Sequence, residues 1–470
     1  MGGNVAVADK FLSFLPHRCK PLAGASVAVD ATSMNPGFFS ATGVTRDDPL
    51  QKIVDRRVLE IGVAKPQRSE LRELRFALVD LTGPDKLKNP KFAGHNETVQ
   101  GGLGSMAKTA CMYAAFQLKF DLEELARQKG LTTQKALFKA ARDLWDDTQK
   151  RDKAKITSIF PKGPKVELLG KLVELDGKKV PLPRALSAPD LERIFTVTPD
   201  GAGGVAVRFK GSDLIFVDPA VPVPPPHITQ TVRDYKKSGA ESLKQVRKFT
   251  FAERLFLMID ESDNAASHSC IENVSFLYIA SSLWQSDIYR PERGGGLWEA
   301  STHDKGGVRW ILPPVPRGAP GTDFVSATAA SVAGLFTLLE QGRLVNPVAC
   351  AGMKHLTSKQ KVFGPAKKGD PEFSGSLTRS FFKVGLEFEL IPFDRLHSKL
   401  GVGVFLNDAA IIERTIPDPA DPAKKKQIRY VATGFDDNTF REKGRKLGRL
   451  IVELDKCIQE NNGLITPATP

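Results

Sequence analysis

Cysteine is scarce in this chain. Cys19, Cys111, Cys270, Cys350 and Cys457 are odd in number and far apart, a pattern that fits neither a disulfide-stapled small fold nor the paired spacing of a zinc site. Histidine is sparse too. The seven present show no metal-ligand spacing, and neither a metal nor another cofactor is expected. No uninterrupted apolar run approaches the roughly 20 residues of a membrane-spanning helix. Met1-Gly2-Gly3-Asn4 lacks the basic stretch and apolar core of an export signal. The chain therefore reads as cytoplasmic as written, and as periplasmic or secreted if such a signal has been removed. Nucleic-acid motifs are missing as well, despite a formal charge of +13. The basic residues are spread among acidic ones, and the densest run, Lys424-Lys425-Lys426, reads as a solvated hairpin tip. No nucleic-acid partner is expected, and nothing marks an oligomeric state.

What is present is an ordinary globular composition, 41% hydrophobic and 26% charged over 470 residues. That is enough for a sizeable core, on a chain longer than one typical domain. Helical spacing over residues 5–15 ends at Pro16, and residues 20–67 show no clear period. Residues 74–81 predict a strand closed by Thr82-Gly83-Pro84-Asp85. A loop with Gly94, Gly101, Gly102 and Gly104 leads into an apolar helix ended by Gly130, and Thr132 or Thr133 can cap the next. Hairpin signals at Asp176-Gly177 and Pro199-Asp200-Gly201, with the stiff Pro222-Val223-Pro224-Pro225-Pro226, mark a β-rich insertion. Beyond it Thr250 is placed to cap a helix over 251–259. Another helix follows through Ile271, Phe276, Ile279 and Leu283, and Thr322 can cap one over 324–339. Strands are expected near 385–390, 401–405, 409–414 and 428–433, then an amphipathic helix over 439–459. The expected fold class is α/β (α+β), an antiparallel sheet domain (1–104 and 385–470) split by an inserted helical domain (105–150 and 245–384), with residues 151–244 as the β-rich insertion.

The chemistry centres on Gly104-Ser105-Met106-Ala107-Lys108. A serine three residues before a lysine shares its helix face, and an amine there can take the proton that makes a hydroxyl nucleophilic. Two other readings fit the same residues. Residues 102–109 would form a phosphate loop if Ala107 were the last glycine of that motif, and Ser105 can be a plain helix cap. Downstream, Ser262-Asp263-Asn264 offers a hydroxyl able to relay a proton and an amide able to bind a substrate amide. Lys399-Leu400-Gly401, opening an expected strand, offers a cation. Lys305, Lys367, Lys383 and Lys446 begin Lys-x-Gly triplets too.

The order S-x-x-K, S-D-N, K-x-G resembles that of the penicillin-recognising serine hydrolases, nearest to class A β-lactamases and related D-Ala-D-Ala peptidases. Residues 75–81 are similar to the family's early sheet strand, and residues 322–345 to its late helix before the third motif. The resemblance covers residues 70–145 and 248–460 and leaves the insertion unexplained. It implies Ser105 as the acylated nucleophile, Lys108 as its proton acceptor and Ser262 as a proton shuttle. Asn264 would hold the substrate's amide, Lys399 would supply positive charge, and Gly401 and Val402 would line the substrate site. The N–H groups of Ser105 and Val402 would form the oxyanion hole. The sequence departs from the family at Leu400, where Thr or Ser is usual. Glu299 and Glu292 are the candidate deacylation bases, but Glu299 lacks the family's E-x-x-L-N surroundings. The implied activity is hydrolysis of an amide, β-lactam or ester carbonyl in a small-molecule or peptide-like substrate, and the basic charge is compatible with an anionic one. A peptidase or esterase of the same fold, and a non-catalytic binding protein built on it, are the alternatives.

Overall fold

The computed structural model describes residues 45–61, 74–145, 172–175, 178–181, 188–211, 249–260, 262–286, 288–290, 295–299, 325–358, 377–388, 404–436 and 445–467. One six-stranded sheet unites the two ends of the chain. Its order is Thr45–Arg46, Lys91–His95, Leu74–Asp80, Asp421–Asp436, Val404–Asp418 and Leu377–Phe388. The first pair is parallel and the other neighbours are antiparallel. Strand Leu74–Asp80 is buried at every position, because both faces of the sheet are covered. Alternation divides its side chains between two cores. Phe76 and Leu78 pack with Ile412, Tyr430 and Leu454, whereas Ala77 and Val79 belong to a larger core that reaches into the helices.

Helices Asp48–Val54 and Arg445–Asn461 cover the first face. The second of these places Leu450, Leu454 and Ile458 on it, the stripe expected of an amphipathic helix. Helix Ala329–Glu340 covers the other face, where Thr433 Oγ1 donates to Ala329 O at 3.1 Å and Arg429 pairs with Glu340 at 3.1 Å. The helix Asp48–Val54 is not anticipated by the sequence pattern. Asp47 caps it and Leu50 and Val54 are its buried residues, but seven residues are too few to display a period.

The helical region is built around Lys108–Lys129, buried on all sides from Lys108 to Leu118. A helix that is apolar all round belongs inside a bundle, and Phe251–Ile259, Asn264–Val274 and Phe276–Gln285 pack about it. Thr250 and Glu253 close a reciprocal capping box at the start of Phe251–Ile259. In the insertion, the hairpin Phe195–Pro199/Val205–Phe209 shares this core. Phe209 stacks with Phe195 and Phe251 and meets Phe116 edge-on. A second hairpin pairs Leu172–Leu175 with Lys178–Pro181.

The strands and one helix differ from expectation. The predicted strands 401–405 and 409–414 become one strand, Val404–Asp418, because Asn407 and Asp408 pair with Phe435 and Gly434. The polar pair interrupts the apolar pattern and leaves the backbone ladder intact. The helix expected over 324–339 begins at Ala329, with Thr328 as its cap. Val325–Ala327 is instead a strand, because its backbone pairs sideways with Gly101–Gly102 and Trp298–Glu299. Lys424 and Lys426 are solvated at the hairpin end, paired with Asp421 at 3.1 Å and Asp418 at 3.2 Å. The expected helix over 5–15, Cys19, Thr322 and the proline run 222–226 lie outside the described residues. Among those described, no helix is long and apolar enough to cross a membrane, and no group of His, Cys, Asp and Glu is arranged to hold a metal.

Candidate active site

A small three-stranded sheet presents the Ser105 turn. Gly101–Gly102 pairs with Val325–Ala327, which pairs with Trp298–Glu299. From there the chain makes a single 3-10 turn, Gly104–Ala107, and enters helix Lys108–Lys129. Gly104 has φ of +52°, a left-handed conformation that glycine adopts without steric cost. Among residues 103–109 only Ser105 keeps partial exposure. Positions i and i+3 eclipse in a 3-10 turn, which sets Ser105 and Lys108 on one face. The Lys108 N–H closes the turn onto the Ser105 carbonyl.

Lys108 is fully buried. Its Nζ donates to Asn264 Oδ1 at 2.7 Å and to the Ser262 carbonyl oxygen at 2.8 Å, with Ser262 Oγ at 3.3 Å. A buried amine without acceptors is costly, and this set meets that need. It also leaves a hydroxyl with which the amine can exchange a proton. Ser262 has φ of +55°, uncommon for a residue with a side chain. That backbone turns both its carbonyl and its hydroxyl toward Lys108. Strain of this kind, on the order of 1–3 kcal/mol, persists where neighbours over-determine the conformation.

Asp263 is the neighbour that does so. Its Oδ1 accepts the Ala266 N–H at 2.7 Å, capping helix Asn264–Val274, and its own N–H donates to Leu257 O at 3.1 Å. Its carbonyl accepts from Ser267 Oγ at 2.5 Å. The middle residue of the triplet is thus an anchor, and the outer two meet the lysine. Asp263→Ala is expected to lower stability by about 1 kcal/mol, the usual cost of a lost cap, as read from urea unfolding.

Glu299 is buried on its short strand, which lies against the long helix. Burial, then Cys270, then the charge of Glu299 push the Cys111 thiol pKa well above its ordinary value. Cys111 stands one turn beyond Lys108 on that helix. The structure therefore brings together Lys108, Ser262 and Asn264 beneath the Ser105 turn, with Glu299 on the adjoining sheet. Glu292, Lys399, Gly401 and Val402 lie outside the described residues.

One of the Lys-x-Gly triplets other than Lys399 lies on a described strand. Strands Leu377–Phe388 and Val404–Asp418 lie against the Ser105 turn, and the first of them, at the edge of the sheet, contains Lys383-Val384-Gly385. This triplet pairs with Ala409, Asp408 and Asn407. The available signal was the alternation of Phe382, Val384, Leu386 and Phe388 with Lys383, Gly385 and Glu387, which starts the strand before residue 385.

The fold is α/β, an antiparallel sheet divided by an inserted helical region, and the Ser-Lys-Ser-Asn constellation sits where the two meet. No protein-family model matches the chain, and no curated protein matches it. Several solved structures are similar to it. One is a β-lactamase from Sphaerobacter thermophilus, 13% identical with a TM-score of 0.39, over 89% of this chain and 98% of that one. Another is a class A β-lactamase from Bacteroides cellulosilyticus, 12% identical with a TM-score of 0.43, over 88% and 99%. A third is PBP-A, 12% identical with a TM-score of 0.38, over 89% and 98%.

Proposed function

We propose that the protein is a serine hydrolase of the β-lactamase and D-Ala-D-Ala peptidase kind, acting on an amide, β-lactam or ester carbonyl through an acyl-enzyme on Ser105. The observation that carries this is the Lys108 amine, buried and held by Ser262 and Asn264 one turn after the half-exposed Ser105. Ser105 Oγ attacks the carbonyl carbon, and its proton passes to Lys108 acting as the free amine. The negative charge on the carbonyl oxygen is met by two backbone N–H groups, that of Ser105 and that of the residue after the Lys-x-Gly triplet. One such donor is worth about a hundredfold in rate or more. The proton then travels from Lys108 through Ser262 Oγ to the leaving nitrogen or oxygen as that bond breaks. In the second half, water attacks the acyl carbon and Glu299 takes its proton. The Oγ–carbon bond breaks, the proton returns to Ser105, and the acid product leaves.

Asn264 is the exposed member of the cluster, and it is the group placed to bind an amide of the substrate. The cationic Lys-x-Gly role is assigned to Lys383-Val384-Gly385, on the strand against the Ser105 turn, with Lys399 as the alternative from sequence. The substrate is a small or peptide-like molecule, and the excess of basic residues suits an anionic one. A phosphate loop is disfavoured because Lys108 is buried among protein acceptors instead of facing an open loop.

Incubation with a fluorescent penicillin and, separately, a fluorophosphonate, followed by peptide mapping, tests the proposal. The adduct is expected on the peptide containing Ser105. If neither reagent modified the protein and no ester or amide were turned over, the hydrolase assignment would fail.

A further inference from the structure

Gln100 stands immediately before Gly101–Gly102, and its side-chain amide behaves as a peptide unit. Nε2 donates to the Gly296 carbonyl at 2.8 Å, and Oε1 accepts the Gly296 N–H at 3.1 Å. Nε2 also donates to Ser326 Oγ at 2.8 Å. Gly296 pairs on its other side with Tyr289, so this stretch is held between a backbone and a side chain. There is little slack in it. Gly296 has φ of +138°, and a Cβ there would stand 2.1 Å from the Ile288 carbonyl oxygen.

These bonds matter because the strand leading into the Ser105 turn is a glycine pair with no side chains to pack against its neighbour. Among the described residues, Gly101–Gly102 meets Val325–Ala327 through Ala327 and Ser326, and Trp298–Glu299 meets it through Ser326 and Val325. A glycine-rich strand such as Gly101–Gly102 specifies register weakly, and Gln100 adds three hydrogen bonds across the same junction. Glu299 lies three residues beyond Gly296, paired with Val325 next to Ser326. One side chain therefore fastens both supports of Glu299 to the segment that leads into Ser105.

We infer that Gln100 is a positioning residue for deacylation, holding the Glu299 carboxylate at the distance from which it activates water against the Ser105 acyl group. The inference rests on the proposed acyl-enzyme. It concerns only the half-reaction in which the water oxygen bonds to the acyl carbon, the Oγ–carbon bond breaks, and the proton taken by Glu299 returns to Oγ.

The test is pre-steady-state kinetics with a chromogenic ester or lactam on wild type, Gln100→Ala, Glu299→Gln and the double variant, with intact-mass detection of the adduct. Gln100→Ala is expected to acylate at the wild-type rate and to deacylate about 10- to 100-fold more slowly, the effect of misplacing a reacting group by about 1 Å or less. The double variant should deacylate no more slowly than Glu299→Gln alone, because the two residues act as one unit. Ser326→Ala removes one of the three bonds and should give a smaller slowing of deacylation, which keeps the test open if Gln100→Ala folds poorly. Equal losses in acylation and deacylation would overturn the inference, and so would additive losses in the double variant. A wild type that turns over while Gln100→Ala deacylates normally sinks the positioning role alone, whereas a wild type that forms no adduct sinks the hydrolase assignment and this role with it.

Discussion

Ser105→Ala is expected to lose covalent labelling altogether, and Lys108→Ala to be acylated about a thousand- to ten-thousandfold more slowly than wild type. The second figure is the upper range for a general base at a reacting hydroxyl, and three features of the site place Lys108 in that range. It is fully buried, and its amine donates to the Ser262 carbonyl and the Asn264 amide oxygen, with the Ser262 hydroxyl at 3.3 Å. One of those contacts is a hydroxyl through which the proton can go on to the leaving group. Lys108→Arg separates charge from basicity. A guanidinium keeps the positive charge but does not give up its proton in a protein, so this variant should also be slow. Single-turnover labelling rates, with circular dichroism to confirm folding, measure all three. Wild-type labelling of Lys108→Arg would remove the lysine from its role as proton acceptor.

The second large effect is on stability. Asp121 is buried within the long helix, where Tyr278 OH donates to Oδ2 at 2.5 Å and Gln117 Nε2 donates to Oδ1 at 2.7 Å. Burial pushes its carboxyl from the ordinary 3.8 up to about 7, with the two hydrogen bonds opposing the rise and the charge of Glu124 adding to it. The folded state thus holds this proton more tightly than the unfolded chain does. Its contribution to stability is complete below pH 3.8 and is lost as the pH rises to about 7. Over that window the change is on the order of 4 kcal/mol. Asp121→Asn has the same shape and no ionisation, and the Gln117 amide can turn to accept from it. Urea unfolding across this range should show wild type and Asp121→Asn alike near pH 4, and the variant more stable by that order above pH 7. Parallel curves would mean that Asp121 does not titrate there.

Tyr278 lies in the first turn of helix Phe276–Gln285, which follows the helix that Asp263 caps, and both pack on Lys108–Lys129, so the Asp121 pair and the Ser262 loop belong to one packed unit. The two predictions nevertheless separate. Acylation depends on the proton at Lys108, whereas the stability profile depends on the proton at Asp121, about three and a half turns farther along the same helix. A variant at either position should leave the other readout recognisable.

Much of this protein was legible in its residues. Thr250 announced the capping box of Phe251–Ile259, and Thr133 caps the helix at 134–145. The run 74–81 marked the central strand, and the spacing of Ser105 and Lys108 placed both on one face of the turn. Each of these is a local matter, set by propensity, caps and periodicity over a few residues. Ser262-Asp263-Asn264 was visible as a motif, but the division of labour within it was not. That Asp263 serves as the anchor follows from the helix it caps and from its bond to Leu257. That the strand carrying Lys383 lies against the Ser105 turn was beyond sequence reasoning, because several triplets share its letters and only tertiary packing distinguishes them. Gln100 carried no signal at all, since its partners stand 196 and 226 residues away. The sequence by itself determined which segments become helix or strand and which residues are chemically capable. Only the tertiary structure decided which of them meet, because such contacts form between segments whose local patterns carry no record of each other.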